Sequence, residues 1–216
     1  MGRTWTRREF LIAGGIAVGG VVALDLSRGI SGMTSEDDAA TPSSNYGGDE
    51  TMGKRVLVGY ATRTGSTVGV AETIGEVLGA RGYTVDVRPL KEKPSTEGYD
   101  AVLLGSAVNG GQWLPEAVSY AESNAAALKK VPTAIFSVHI MNLGDEPKAT
   151  RKRHAYTDKV RSFFAPADEA FFAGKGPDPE GTSLIMRWAF KAFGGGGEGD
   201  CRDWDAIRAW AGRVAV

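Results

Sequence analysis

From Arg55 to the C-terminus, short apolar runs alternate with longer segments in which apolar residues recur every three or four positions. The runs Arg55–Tyr60, Tyr83–Arg88, Ala101–Gly105, Thr133–Val138 and Glu169–Ala173 have the length and composition of buried strands. Between and after them, the spacing predicts helices over Ser66–Ala80, Leu114–Leu128, Thr150–Phe164, Thr182–Phe193 and Trp204–Val214. Five strands separated by helices imply an α/β fold, a doubly wound parallel sheet with helices on both faces. The pattern shows no repeat period.

The first strand-to-helix junction carries the clearest chemistry, Thr62-Arg63-Thr64-Gly65-Ser66-Thr67. A tight turn there aims unpaired amides and the positive end of the helix dipole at one point, which suits an anion. Three threonines and Ser66 add hydroxyl donors, and Gly65 lets the backbone come close to a ligand. The turn matches neither G-x-x-x-x-G-K-[ST] nor G-x-G-x-x-G, so it points to a single terminal phosphate and a mononucleotide such as FMN. The alternative is that these residues only cap the helix.

The segment Ala61–Thr67 resembles the T-x-T-G-x-T phosphate loop of flavodoxins. That resemblance implies a flavodoxin-like three-layer α/β/α fold, with a five-stranded parallel sheet of order 2-1-3-4-5 and FMN as cofactor. In such a sheet the ligand lies beyond the strand ends, where the winding reverses between strands one and three. The loop after strand three, Ser106-Ala107-Val108-Asn109-Gly110-Gly111-Gln112-Trp113, would then meet a flat ring with its adjacent glycines and an aromatic. The loop after strand four brings His139, Met141 and Asn142 to the same crevice. Competing readings are a simple turn at Asn109–Gly111, a core anchor in Trp113 and a structural role for His139. No nucleophile, base and orienter arrangement is visible, as befits chemistry carried by a flavin.

Upstream of the domain, Thr6-Arg7-Arg8-Glu9-Phe10-Leu11 places paired arginines before a glycine-containing apolar run from Leu11 to Leu24, the pattern of a twin-arginine export signal. That run is shorter than the ~20 residues of an ordinary spanning helix. Residues 1–30 are therefore expected to direct export, with an uncut signal as one route to membrane tethering. Residues 31–53 hold Glu36, Asp37, Asp38, Asp49 and Glu50 with no lysine or arginine, and read as a flexible acidic linker. Residues 54–216 form the FMN-binding domain. A net charge of −1 gives no electrostatic case for nucleic acid, and the single Cys201 excludes an internal disulfide. His139 and His154 have no Cys or His partner at metal-ligand spacing.

Beyond the phosphate loop, Pro132–Val138, Ala170–Gly174, the Gly195-Gly196 turn with Asp200 after it, and Asp203-Trp204 resemble the flavodoxin-like, menaquinone-dependent protoporphyrinogen IX dehydrogenases. The resemblance implies an FMN oxidoreductase that takes electrons from a porphyrinogen and passes them to a membrane quinone. The family's aromatic and basic insertion after the last strand is replaced here by the short, acidic Gly176-Pro177-Asp178-Pro179-Glu180-Gly181. The alternative within the same fold is an electron carrier that exchanges electrons with redox partner proteins and has no substrate of its own. The next stretch, Leu184–Phe193, is apolar except for Arg187 and Lys191. Its first expectation is packing on the sheet with both cations snorkelling, and its second is docking on a membrane or quinone pocket.

Overall fold

A computed structural model describes residues 39–47, 53–178, 180–192 and 195–215. The expected export segment over 1–30 lies outside them. The strands are β1 Ser44–Tyr46, β2 Arg55–Ala61, β3 Thr84–Pro89, β4 Ala101–Asn109, β5 Gln112–Trp113, β6 Thr133–His139 and β7 Asp168–Ala173. The helices are α1 Ser66–Ala80, α2 Pro115–Ser123, α3 Ala125–Leu128, α4 Pro147–Ala155, α5 Asp158–Arg161, α6 Leu184–Ala192 and α7 Trp204–Arg213. Among the described residues no helix is long and apolar enough to cross a membrane.

Alternation along the central strands builds the layers. Val56, Val58 and Tyr60 of β2 join one core cluster with Val70, Ile74 and Leu78 of α1 and Ile207 and Trp210 of α7. Leu57 and Ala61, on the opposite face, join Leu114, Ala117, Tyr120, Leu128 and Val160. Ala101 and Leu103 of β4 belong with the first set, and Val102 and Leu104 with the second. Each side chain along a strand thus meets a different helix layer from its neighbours, the period-two consequence of the pleat.

The sheet has seven strands rather than five. Its order is β1-β3-β2-β4-β6-β7, with β5 paired to β4 off this path. The neighbours from β3 to β7 run parallel, whereas β1 and β5 add antiparallel pairs. The expected all-parallel sheet is therefore corrected at one edge and at the end of β4.

The edge strand β1 falls inside the stretch expected as a flexible linker. Ser44, Asn45 and Tyr46 pair with Val87, Asp86 and Val85. Arg88 donates to the Ser44 carbonyl at 2.9 Å and to Asn45 Oδ1 at 2.6 Å, and buried Tyr60 donates to the Pro42 carbonyl at 2.6 Å. Tyr46 fills the space that glycines leave on α1: a Cβ at Gly75 or Gly79 would stand 2.9 Å from it. Long-range pairing and one aromatic seat thus order a strap whose composition alone reads as unstructured. Tyr46→Ala is expected to cost about 1–3 kcal/mol, because a partly buried aromatic leaves a gap over two glycines. A urea unfolding midpoint within error of wild type would show that the strap carries no stability.

The single helix expected over Leu114–Leu128 breaks at Asn124, whose side chain turns back to the Tyr120 carbonyl at 2.9 Å. The one expected over Thr150–Phe164 is likewise divided into α4 and α5.

Candidate functional site

Three loops leave the carboxyl ends of β2, β4 and β6 side by side. Ser106 of β4 sits opposite Ala61 of β2 on one side and Ser137 of β6 on the other, so the segments beyond these strand ends emerge at one end of the sheet. The segment Thr62–Thr67 turns into α1 through Gly65, which has φ +83 and acts as N-cap without a side-chain cap. Its amide donates to Thr62 Oγ1 at 3.0 Å, which holds the turn shut from within. A Cβ at Gly65 would be strained by that φ and would stand 3.3 Å from Ala39.

Several features mark this turn as more than a helix cap. The first turn of α1 contains no acidic residue, although a helix start ordinarily gains from one. Thr62, Ser66 and Thr67 are buried, Arg63 and Gly65 are half-buried and Thr64 is exposed. Thr67 Oγ1 is buried with no hydrogen-bond partner. An unpaired buried hydroxyl costs about 1–3 kcal/mol, and at a helix start this one is placed where an anionic oxygen would offset that cost. Hydroxyls, first-turn amides and a half-buried arginine fit the terminal phosphate of FMN.

Residues far along the chain brace the same turn. Arg202 donates to the Ser66 carbonyl at 3.3 Å and is clasped by Asp200 through bonds of 2.8 and 2.5 Å. Its guanidinium lies 4.3 Å from the Trp204 ring centre, and its bond chiefly holds the Asp200 carboxyl down to about 2. Gly174, just past β7, approaches Ser66 so closely that a Cβ there would stand 3.4 Å from the hydroxyl. Sequence reasoning missed these braces, because nothing local connects position 202 to position 66.

The second segment, Ser106–Trp113, is a hairpin rather than an open loop. β4 runs through Asn109, Gly110 and Gly111 turn at φ +60 and +79, and Gln112–Trp113 returns as β5. Positive φ at both central residues is the requirement of a type I′ turn, which glycines meet without strain. Ala107 and Val108 are half-buried, and Asn109, Gly110, Gly111 and Gln112 are exposed. Ser106 and Trp113 face inward. Ser106 Oγ accepts from the Leu114 amide at 3.0 Å, and Trp113 Nε1 donates to Ser137 Oγ at 2.8 Å within the core. Trp113 is thus anchored in the core, as one of the two readings of it expects.

The third loop is fastened by its own side chains. Buried His139 sets its Nδ1 2.7 Å from the Met141 carbonyl, and since a carbonyl only accepts, the neutral ring carries its proton on that nitrogen. Burial pushes the His139 pKa down to about 4, with Arg153 acting in the same sense and the Met141 bond opposing it. Asn142 adopts φ +59 and donates to the Tyr156 hydroxyl at 2.6 Å. Arg153 holds the Asn142 carbonyl at 2.8 Å and also binds that of Gly144. Met141 and Asn142 are half-buried. His139 is an anchor for them, neutral at ordinary pH.

A family model described as the flavodoxin domain matches residues 57–177, more than half of the chain. The chain is 26% identical to the protoporphyrinogen IX dehydrogenase [quinone] of Escherichia coli strain K12, over 74% of this chain and 94% of that protein. Among solved structures, a short-chain flavodoxin associated with a bacterial microcompartment superposes with a TM-score of 0.49 at 14% identity, covering 74% of this chain and 96% of the other. Oxidised flavodoxin 1 from Bacillus cereus gives 0.47 at 14% identity, over 73% and 95%. The matched segment spans the phosphate turn, the glycine hairpin and the His139 loop, and the chain belongs to the flavodoxin domain family, whose cofactor is FMN.

Proposed function

We propose that the chain is an exported FMN oxidoreductase that passes electrons from a porphyrinogen-like donor to a membrane quinone. The observation that carries the cofactor site is Thr67, a buried hydroxyl without a partner beneath a positive-φ glycine at a helix start. FMN, when bound, supplies the electron-accepting ring. Thr62, Arg63, Thr64, Gly65, Ser66 and Thr67 would hold its phosphate through amides, hydroxyls and one guanidinium. Gly110 and Gly111, with the backbone of Ala107, Val108, Asn109 and Gln112, would meet the ring, as would Met141 and Asn142, whose loop His139 fastens through the Met141 carbonyl. Ser106 fixes the root of the hairpin through the Leu114 amide. The side chains of the site bind, orient and exclude water.

Support for the donor and acceptor comes from the 26% identity to the quinone-linked dehydrogenase, which extends over nearly that protein's whole length. Support for export comes from Arg7, Arg8 and the apolar run after them. FMN-loaded full-length protein should oxidise protoporphyrinogen IX with menaquinone as acceptor. Flavin-loaded protein that shows no turnover, yet exchanges electrons with a redox partner protein, would favour the carrier reading instead.

A further inference from the structure

Leu184, Ile185 and Trp188 are the exposed large apolar side chains of the described residues, at 77%, 63% and 73% exposure, and all three lie on α6. This contradicts the expected packing of that helix on the sheet. Spacing of one and four residues puts them on one face. The helix carries no acidic residue, and its cations Arg187 and Lys191 are drawn together by Glu198, which bonds Arg187 directly and lies 4.0 Å from Lys191.

The arm bearing α6 is rooted in the cofactor site at two places. At its base, Lys175 bridges to Asp200, the Cys201 amide donates to the Gly174 carbonyl at 3.1 Å, and Arg202 reaches Ser66. At its far turn, Gly195 bridges to Met141 and the Gly196 amide donates to the Ile140 carbonyl at 2.8 Å. The N-terminal strap comes to the same region: Ala39 lies 3.3 Å from where a Cβ on Gly65 would stand, next to the Ser66 that Gly174 approaches. The chain preceding Ala39 includes Arg3, Arg7, Arg8 and the apolar run Leu11–Leu24.

We infer that the Leu184, Ile185 and Trp188 face of α6 docks on a lipid bilayer, as the second of two membrane attachments whose roots adjoin beside the phosphate turn. The inference rests on the functional reading only for a membrane-borne acceptor. Three side chains offer on the order of 500 Å², short of the roughly 800 Å² per partner of a stable protein interface. A bilayer demands no complementary face, and tryptophan with flanking cations suits its headgroup zone. A single weak anchor gives only reversible binding, so a marginal apolar leader and a short amphipathic helix each become effective together. Because the arm is fastened to both the phosphate turn and the Met141 loop, docking would fix the crevice relative to the lipid surface.

The test is partitioning of full-length, FMN-treated protein onto vesicles of phosphatidylcholine and phosphatidylglycerol. Four forms are compared: wild type, an α6 variant (Leu184→Ser, Ile185→Ser, Trp188→Ser), a leader variant (Val18→Asp, Val21→Asp) and their combination. The α6 substitutions are expected to weaken partitioning by about tenfold or more whether or not the leader is intact. In the leader-variant background, where Trp5 is no longer drawn to lipid by an intact apolar run, lipid should shift tryptophan emission to the blue, and less so when Trp188→Phe is added. Equal partitioning with and without the α6 substitutions in both leader backgrounds would overturn the inference. So would self-association without vesicles that the same substitutions abolish, which would give the face to a second copy. Flavin absorbance read on the same samples separates the two claims: yellow protein indifferent to lipid sinks this one, and colourless protein that binds lipid through α6 sinks the functional reading.

Discussion

Thr67→Val is expected to move stability and cofactor affinity in opposite directions. Thr67 is fully buried and its hydroxyl has no partner within the protein, so without a ligand the fold would carry an uncompensated desolvation cost. Valine has nearly the same shape and no such group, and the apoprotein should gain about 1 kcal/mol or somewhat more. FMN should bind more weakly by about 1–3 kcal/mol, roughly five- to a hundredfold, because the hydroxyl that would meet the phosphate is gone. Urea unfolding of apoprotein and fluorescence titration with FMN measure the two effects separately. A variant both less stable and unchanged in affinity would show that the hydroxyl serves the fold alone.

The second large effect is a pH dependence centred on His139. Its pKa in the fold is about 4, against about 6.5 in an unfolded chain, and the chief cause is burial. The unfolded chain therefore takes up a proton first as pH falls. The stability associated with the neutral ring is complete above about pH 6.5, declines below it and is lost as pH falls through about 4, on the order of 3 kcal/mol in all. Arg153, on α4 just after the His139 loop, adds to the cost of charging the ring, and Tyr156 and Phe171 pack beside it with ring centres 5.5 and 6.3 Å away. His139→Gln, which keeps a donor for the Met141 carbonyl without titrating there, should flatten the urea-derived stability between pH 6.5 and 4 relative to wild type. An unchanged slope would mean that the ring is not charged on unfolding.

What the sequence made legible was whatever repeats along the chain. α1 spans the residues that its apolar period marks, and β2, β4 and β6 lie where buried runs stand out. The phosphate turn was legible because strand, glycine, hydroxyls and helix start are consecutive. β1 was not, since three residues reading Ser-Asn-Tyr in a polar stretch become a strand only by pairing with β3 across the chain. The hairpin at Gly110 and Gly111 was half legible: the glycine pair signalled a turn, but the return strand is two residues long. The braces at Arg202 and Gly174 depend on how the last helix meets the first and leave no local trace. α6 shows the opposite difficulty, since an apolar helix face declares that it will be covered and does not declare by what.

The most direct measurement is the absorbance spectrum of the purified full-length protein, with a subsequent titration with FMN. Flavin bands at roughly one FMN per chain, or their appearance on reconstitution, are the predicted result. Protein that is colourless and takes up no FMN would contradict the account at its centre.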